Sequence, residues 1–231
     1  MQKIQRNTYT TTDALADGFA NYAAEVLRTA LTRQQTASLV VPGGSTPRAY
    51  LPALAAQTLP WQRITITLSD ERWVDTGLHD SNEHLVRTCL LKRLNVQPHF
   101  TGLKTPHEKP EAAIPEIEQR LKTLPQPFTL TVLGLGEDGH IASLFPGLKL
   151  HEATHSSAEQ RCIAVYPPVA PSPRVSLSLD ALAGSAQIAL VATGKVKRQL
   201  LDRLKDDADP AIPLVWLLQH ARTPVAVFET S

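Results

Sequence analysis

Residues 128–147 read FTLTVLGLGEDGHIASLFPG. The first half, FTLTVLGL, is apolar at both odd and even positions. A strand has that pattern when both of its faces are covered. The run then breaks into glycines, an acidic pair and a histidine, as a chain does when it leaves a buried strand at its carboxyl end. Working outward, ASLVVP (37–42), ITITL (64–68) and IALVAT (188–193) repeat the same short apolar run. Between them lie stretches with helical spacing. Leu15, Phe19, Tyr22, Ala23, Val26, Leu27, Ala30 and Leu31 fall three and four apart, and TPRAYLPALAAQ, SNEHLVRTCLLKRL, EAAIPEIEQRLKTL and GKVKRQLLDRLK behave similarly. RCIAVYP, RVSLSL and PVAVFE complete the strands, and SDE reads as the polar end of ITITL. Strand, glycine turn, helix, strand is the order of an α/β protein with a mainly parallel sheet and helices on both faces.

The 231 residues carry 23 Lys and Arg against 22 Asp and Glu. A net charge of +1 removes the bulk electrostatic reason to expect nucleic acid or an anionic membrane as partner. Any anion must be held by a few placed donors. No apolar run approaches the roughly 20 residues of a membrane span, and the N-terminus has no signal core, so a cytoplasmic protein is expected. Cys89 and Cys162 stand in a helical and a strand-like stretch without metal-ligand spacing, as reduced, buried thiols do. His107, His151, His155 and His220 are scattered, and no zinc site is expected. The Pro-rich YPPVAPSPR is short and flanked by strands. It reads as a loop, leaving residues 1–231 as a single domain.

In parallel sheets ligands bind beyond the carboxyl ends of the strands. Four polar motifs stand at such ends: GGST, SDERW, GEDGH and TGKVK. One shared site is the economical explanation. Gly43 and Gly44 let backbone approach an anion, Ser45 and Thr46 add hydroxyls, and the helix beginning near Pro47 offers its N-terminal amides. A tight turn with a Ser or Thr cap is the plainer alternative. The GGST stretch is neither a P-loop nor GxGxxG. Gly134, Gly136 and Gly139 have the dinucleotide spacing, but Glu137 and Asp138 would face a pyrophosphate.

His140 sits at the mouth of the sheet with Asp138 two residues before it, a pairing suited to proton transfer near neutral pH. A His capping a following helix is the alternative. Ser143, one turn along that helix, is no nucleophile of a GxSxG elbow, so activation of water is preferred. Asp70 and Glu71 are adjacent on a strand and point to opposite faces. Arg72 offers a forked donor, and Arg174 and Lys197 add cations from other strand ends.

GGSTP, SDERWV followed by Ser81-Asn82, GEDGHIASLFPG and the GxxK of Gly194 to Lys197 together resemble the glucosamine-6-phosphate isomerase/deaminase-like family, on its 6-phosphogluconolactonase side. The resemblance runs from about Val40 to Lys197. It implies a Rossmann-like, doubly wound fold, no metal or organic cofactor, and hydrolysis of 6-phospho-D-glucono-1,5-lactone in the oxidative pentose phosphate pathway. His140 would be the base, Asp138 its support and Arg72 a substrate donor. Asp70 would belong to the substrate site, and Ser45, Arg174 and Lys197 would hold the phosphate. The isomerase/deaminase branch reads DGHIAFNEPG and DEY. Here Phe145 stands at the glutamate's position and Arg72 at the tyrosine's, although Ile141 matches that branch. A sugar-phosphate sensor would need a helix-turn-helix, and the residues before the first strand, at Ala37, supply one helix. Oligomeric state is not legible.

Overall fold

In the computed structural model, residues 4–148, 160–167, 172–204 and 209–230 are described. His151, His155 and the middle of the Pro-rich stretch lie outside them. The strands are β1 Ile4–Tyr9, β2 Ala37–Val41, β3 Ile64–Leu68, β4 Asp70–Arg72, β5 His99–Thr101, β6 Leu130–Gly134, β7 Cys162–Val165, β8 Arg174–Leu177, β9 Ile188–Ala192 and β10 Val225–Thr230. The helices are α1 Thr12–Arg33, α2 Pro47–Ala55, α3 Asn82–Cys89, α4 Pro110–Lys122, α5 Leu179–Ala183, α6 Lys195–Leu204 and α7 Pro213–His220.

Seven strands form one parallel sheet in the order β1-β10-β9-β6-β2-β3-β5. Every residue of β2, β9 and β10 is buried, so the sheet is covered on both faces. The chain moves outward from β2 through β3 to β5, then returns to the other side of β2 with β6. The order of winding therefore reverses between β2 and β6. A crevice opens at such a reversal because the connections on its two sides diverge. GGST follows β2 and GEDGH follows β6, so both motifs flank it.

β5 and α7 were not expected from the sequence, and three further features differ from expectation. A strand, β1, precedes α1, pairing in register with β10 from Ile4↔Val225 to Tyr9↔Thr230. Its polar sequence IQRNTY hides it from an apolar pattern. It is held as an edge by backbone pairing and by Glu229, which is buried and accepts from Arg6 and Thr8. SDE does not extend β3. The chain leaves the sheet at Ser69, whose N–H donates to Val41, and β4 joins a separate three-stranded antiparallel sheet, β4-β8-β7. Finally, no helix starts at His140. Residues 137–144 form successive turns closed by an Ile141–Leu144 bridge, and Ala142 adopts φ 49°. No helix of the described residues is long and apolar enough to cross a membrane.

Candidate active site

A cavity of about 290 Å³ opens at the winding reversal. Gly43, Gly44, Ser45 and Thr46 form one wall, Asp70, Arg72 and Arg174 a second, and His140 with Lys197 complete it. Asp138 stands behind His140. Residues from five distant segments thus meet.

The glycine wall is built from backbone. Gly44 has φ +93°, which favours glycine, and the turn leads directly into α2 with Pro47 at its first position. Thr46, at the cap position, makes no side-chain cap hydrogen bond; its hydroxyl lies 3.4 Å from that of Thr193. The Thr46 hydroxyl is therefore not spent on capping, whereas Pro47 has no N–H and those of Arg48 and Ala49 donate to the carbonyls of Ser45 and Thr46. Lys197 enters from the third position of α6, after Gly194 at φ +95°.

The cationic wall follows from strand register. Asp70 lies opposite Ser176 and Arg72 opposite Arg174, so alternation puts all four side chains on one face of the small sheet. Two guanidinium groups set directly across a ladder repel one another, an arrangement that favours an anion between them. Arg72 Nη1 donates to the carbonyl of Asp80 at 2.6 Å. Arg174 Nη1 donates to the Ser143 hydroxyl at 3.2 Å, which donates in turn to Asp70 Oδ2 at 2.6 Å. The Ser69 hydroxyl donates to Asp70 Oδ1. Both oxygens of Asp70 are thus engaged, and its charge balances the arginines from behind. Burial and the charge of Arg72 lower the Arg174 guanidinium, with Asp70 opposing them. Ser143 is fully buried, with its hydroxyl committed to Asp70, so it presents no nucleophile to the cavity.

His140 is held at one nitrogen. Its Nδ1 lies 2.6 Å from Asp138 Oδ1, which also accepts the His140 backbone N–H at 3.0 Å. Partial burial works to raise the Asp138 carboxyl, but the backbone donor, the imidazole charge and the ring hydrogen bond together hold it below the ordinary 3.8. A carboxylate on Nδ1 leaves the Nε2 lone pair for the cavity. The ring packs against Gly136, where a Cβ would come within 2.1 Å of Nδ1. Gly136 is therefore explained by the imidazole. Phe145, almost fully buried, lies with its ring centroid 4.5 Å from that of His140 and under the Arg174 guanidinium at 5.5 Å.

Sequence reasoning did not assign a role to Glu71 or Asn82. Glu71 faces away from the cavity and is fully buried, accepting four hydrogen bonds. The donors are the N–H groups of Arg72, Asn82 and Glu83, each at 2.8 Å, and the Ser81 hydroxyl at 3.0 Å. Burial pushes its carboxyl up to about 7, with those donors pulling the other way. Ser81 also caps α3 by accepting from the His84 N–H. The Ser81-Asn82 pair after a polar loop was the available signal for a helix start; its tie to Glu71 was not. Glu71→Gln should cost about 2–3 kcal/mol, because the amide NH₂ must face an N–H donor already there. A fall of roughly 5–10 °C in melting temperature is the expected reading for a chain of this size. Among the described residues no three His, Cys, Asp or Glu side chains gather as a metal site would require.

Fold and cavity define a class: doubly wound α/β proteins with an arginine-lined cavity at the winding reversal, beside a His–Asp pair. The family model described as glucosamine-6-phosphate isomerases/6-phosphogluconolactonase matches residues 10–226. A 6-phosphogluconolactonase of Pseudomonas aeruginosa is 40% identical over 190 residues, covering 81% of this chain and 79% of that protein. One from Caulobacter vibrioides is 34% identical over 227 residues, covering 97% and 96%. The chain belongs to this family and is an enzyme of the 6-phosphogluconolactonase type. A crystal structure of a 6-phosphogluconolactonase from Shewanella baltica superposes with a TM-score of 0.94 at 35% identity, covering 99% of this chain and 98% of that one.

Proposed function

We propose that this chain, acting as a single cytoplasmic domain, hydrolyses 6-phospho-D-glucono-1,5-lactone to 6-phosphogluconate, the second step of the oxidative pentose phosphate pathway. The observation that carries this reading is the His140–Asp138 contact of 2.6 Å on the wall of a cavity whose other walls bear Arg72, Arg174 and Lys197. Nε2 of His140 takes a proton from water as the water oxygen bonds to C1 of the lactone. The carbonyl π electrons move onto oxygen, giving a tetrahedral alkoxide, which hydrogen-bond donors on the cavity wall stabilise. The alkoxide collapses, the C1 to ring-oxygen bond breaks, and the imidazolium returns its proton to the departing oxygen. Asp138 stabilises the imidazolium between those steps.

The phosphate is remote from C1, so holding it orients the ring and offsets the entropy of positioning. Ser45, Arg174 and Lys197 are assigned to it. No step needs a cofactor. Arg174→Ala or Lys197→Ala should each weaken substrate binding by about 1.5–3 kcal/mol, the scale of a charged hydrogen bond. Steady-state kinetics should show this mainly in KM with a smaller loss in kcat. Equal specificity constants of the wild type for the phosphorylated lactone and glucono-1,5-lactone would contradict a phosphate pocket.

The second family activity, on aminosugar phosphates, fits less well. Moving protons between carbon atoms needs a further acid or base near His140, and the group stacked there is the buried ring of Phe145. Assays of purified protein with freshly generated 6-phosphogluconolactone and with glucosamine 6-phosphate test the choice. Turnover of the lactone alone is expected.

A further inference from the structure

Asn82 is fixed from both ends. Its backbone N–H donates to Glu71 Oε1 at 2.8 Å, as part of the carboxylate's hold on the start of α3. Its side-chain Nδ2 donates to the carbonyl of Asp70 at 2.8 Å. The amide fills the space beside Gly43, where a Cβ would lie 1.7 Å from Oδ1 and 2.1 Å from Cγ. The side chain therefore bridges the two sheets. On one side is β4, carrying Arg72 opposite Arg174; on the other is the glycine loop that follows β2.

Asn82 is 99% buried, yet its Oδ1 has no hydrogen-bond partner. A buried acceptor left unpaired costs about 1–3 kcal/mol, and an apolar side chain at this point would avoid that cost. What the amide supplies in return is a spacer of fixed size whose donor end is tied to the arginine-bearing strand. Gly43 and Asn82 are complementary, since neither a larger residue at 43 nor a mobile one at 82 would keep the loop where it is.

We infer that Asn82, locked by Glu71, is a positioning residue for anion recognition: it sets the spacing between the glycine loop and the Arg72–Arg174 pair, and so the preference for a phosphorylated over a plain lactone. The substrate half of this inference rests on the lactonase reading; the anion half does not. Asn82→Ala removes the spacer. Asn82→Asp keeps its shape, loses the donor to Asp70 and brings a negative charge to the loop. Gly43→Ala evicts the amide while leaving Asn82 in the chain.

Specificity constants for 6-phosphoglucono-1,5-lactone and glucono-1,5-lactone should be measured for each folded variant, with calorimetric titration of inorganic phosphate. In Asn82→Ala the ratio of the two constants should fall about tenfold, chiefly through KM of the phosphorylated substrate, and phosphate binding should weaken by a similar factor. Asn82→Asp should lose more than Asn82→Ala. The Gly43→Ala/Asn82→Ala pair should be no worse than the more damaged single variant, because both act on one contact. Equal losses on the two lactones in folded Asn82→Ala, or undiminished phosphate affinity, would overturn the inference. Should Asn82→Ala fail to fold, Gly43→Ala decides by the same ratio. A wild type that turns over neither lactone would refute the lactonase reading instead, and the phosphate titration would then judge Asn82 alone.

Discussion

His140→Ala should lower kcat by about 10²–10⁴ with little change in substrate affinity, since a positioned general base contributes on that scale. The imidazole is half-buried and, among the described residues, its polar tie is to Asp138 two residues away, so its removal leaves the core intact. His140→Gln keeps a hydrogen-bonding side chain that cannot take the proton, and should be nearly as impaired. A folded His140→Ala enzyme with near-normal turnover would remove His140 from the chemistry and leave the family membership standing.

Asp138→Asn should cost about 10² in kcat, again with small changes in KM. The carbonyl of an asparagine can still accept both N–H groups that Asp138 Oδ1 accepts, so the ring keeps its orientation. What disappears is the charge facing the imidazolium, and a hydrogen bond to a charged group is worth about 1.5–3 kcal/mol. Any flip of the amide adds to the loss, since an NH₂ donating to Nδ1 moves the ring proton to Nε2. The pH dependence of stability gives a second reading. The Asp138 carboxyl lies below its ordinary 3.8, so the folded state binds its proton less readily than the unfolded chain. Its stabilising contribution is present above that ordinary value and is lost as pH falls through the folded one. The difference in melting temperature between wild type and Asp138→Asn should therefore close on acidification. A gap that stays open in acid, or a variant with unaltered kcat, would mean that the contact does nothing for His140.

Most of the architecture was legible because the decisive strands are buried on both faces. FTLTVLGL, ASLVV, ITITL and IALVA cannot be read otherwise, and a polar motif directly after each marks the end where ligands bind. His140 and Asp138 were legible for a different reason: two residues separate them, so the sequence itself makes them neighbours. Edge elements gave no such signal. The polar β1 and the three-residue β5 owe their conformation to the strands beside them. In α7, PLVWLLQH is apolar nearly all round and carries no helical period.

The sequence by itself thus determined which strands are interior, which motifs stand at their carboxyl ends, and which carboxylate partners the histidine. All three are consequences of local spacing and of burial acting residue by residue. Only the tertiary structure decided that the chain leaves the main sheet at Ser69, that Arg72 faces Arg174 across a ladder, and that Glu71 secures Asn82 against Gly43. Those contacts join segments far apart in the chain. Neither partner carries a mark of the other, because a buried carboxylate or amide is stabilised by donors that arrive from elsewhere in the fold.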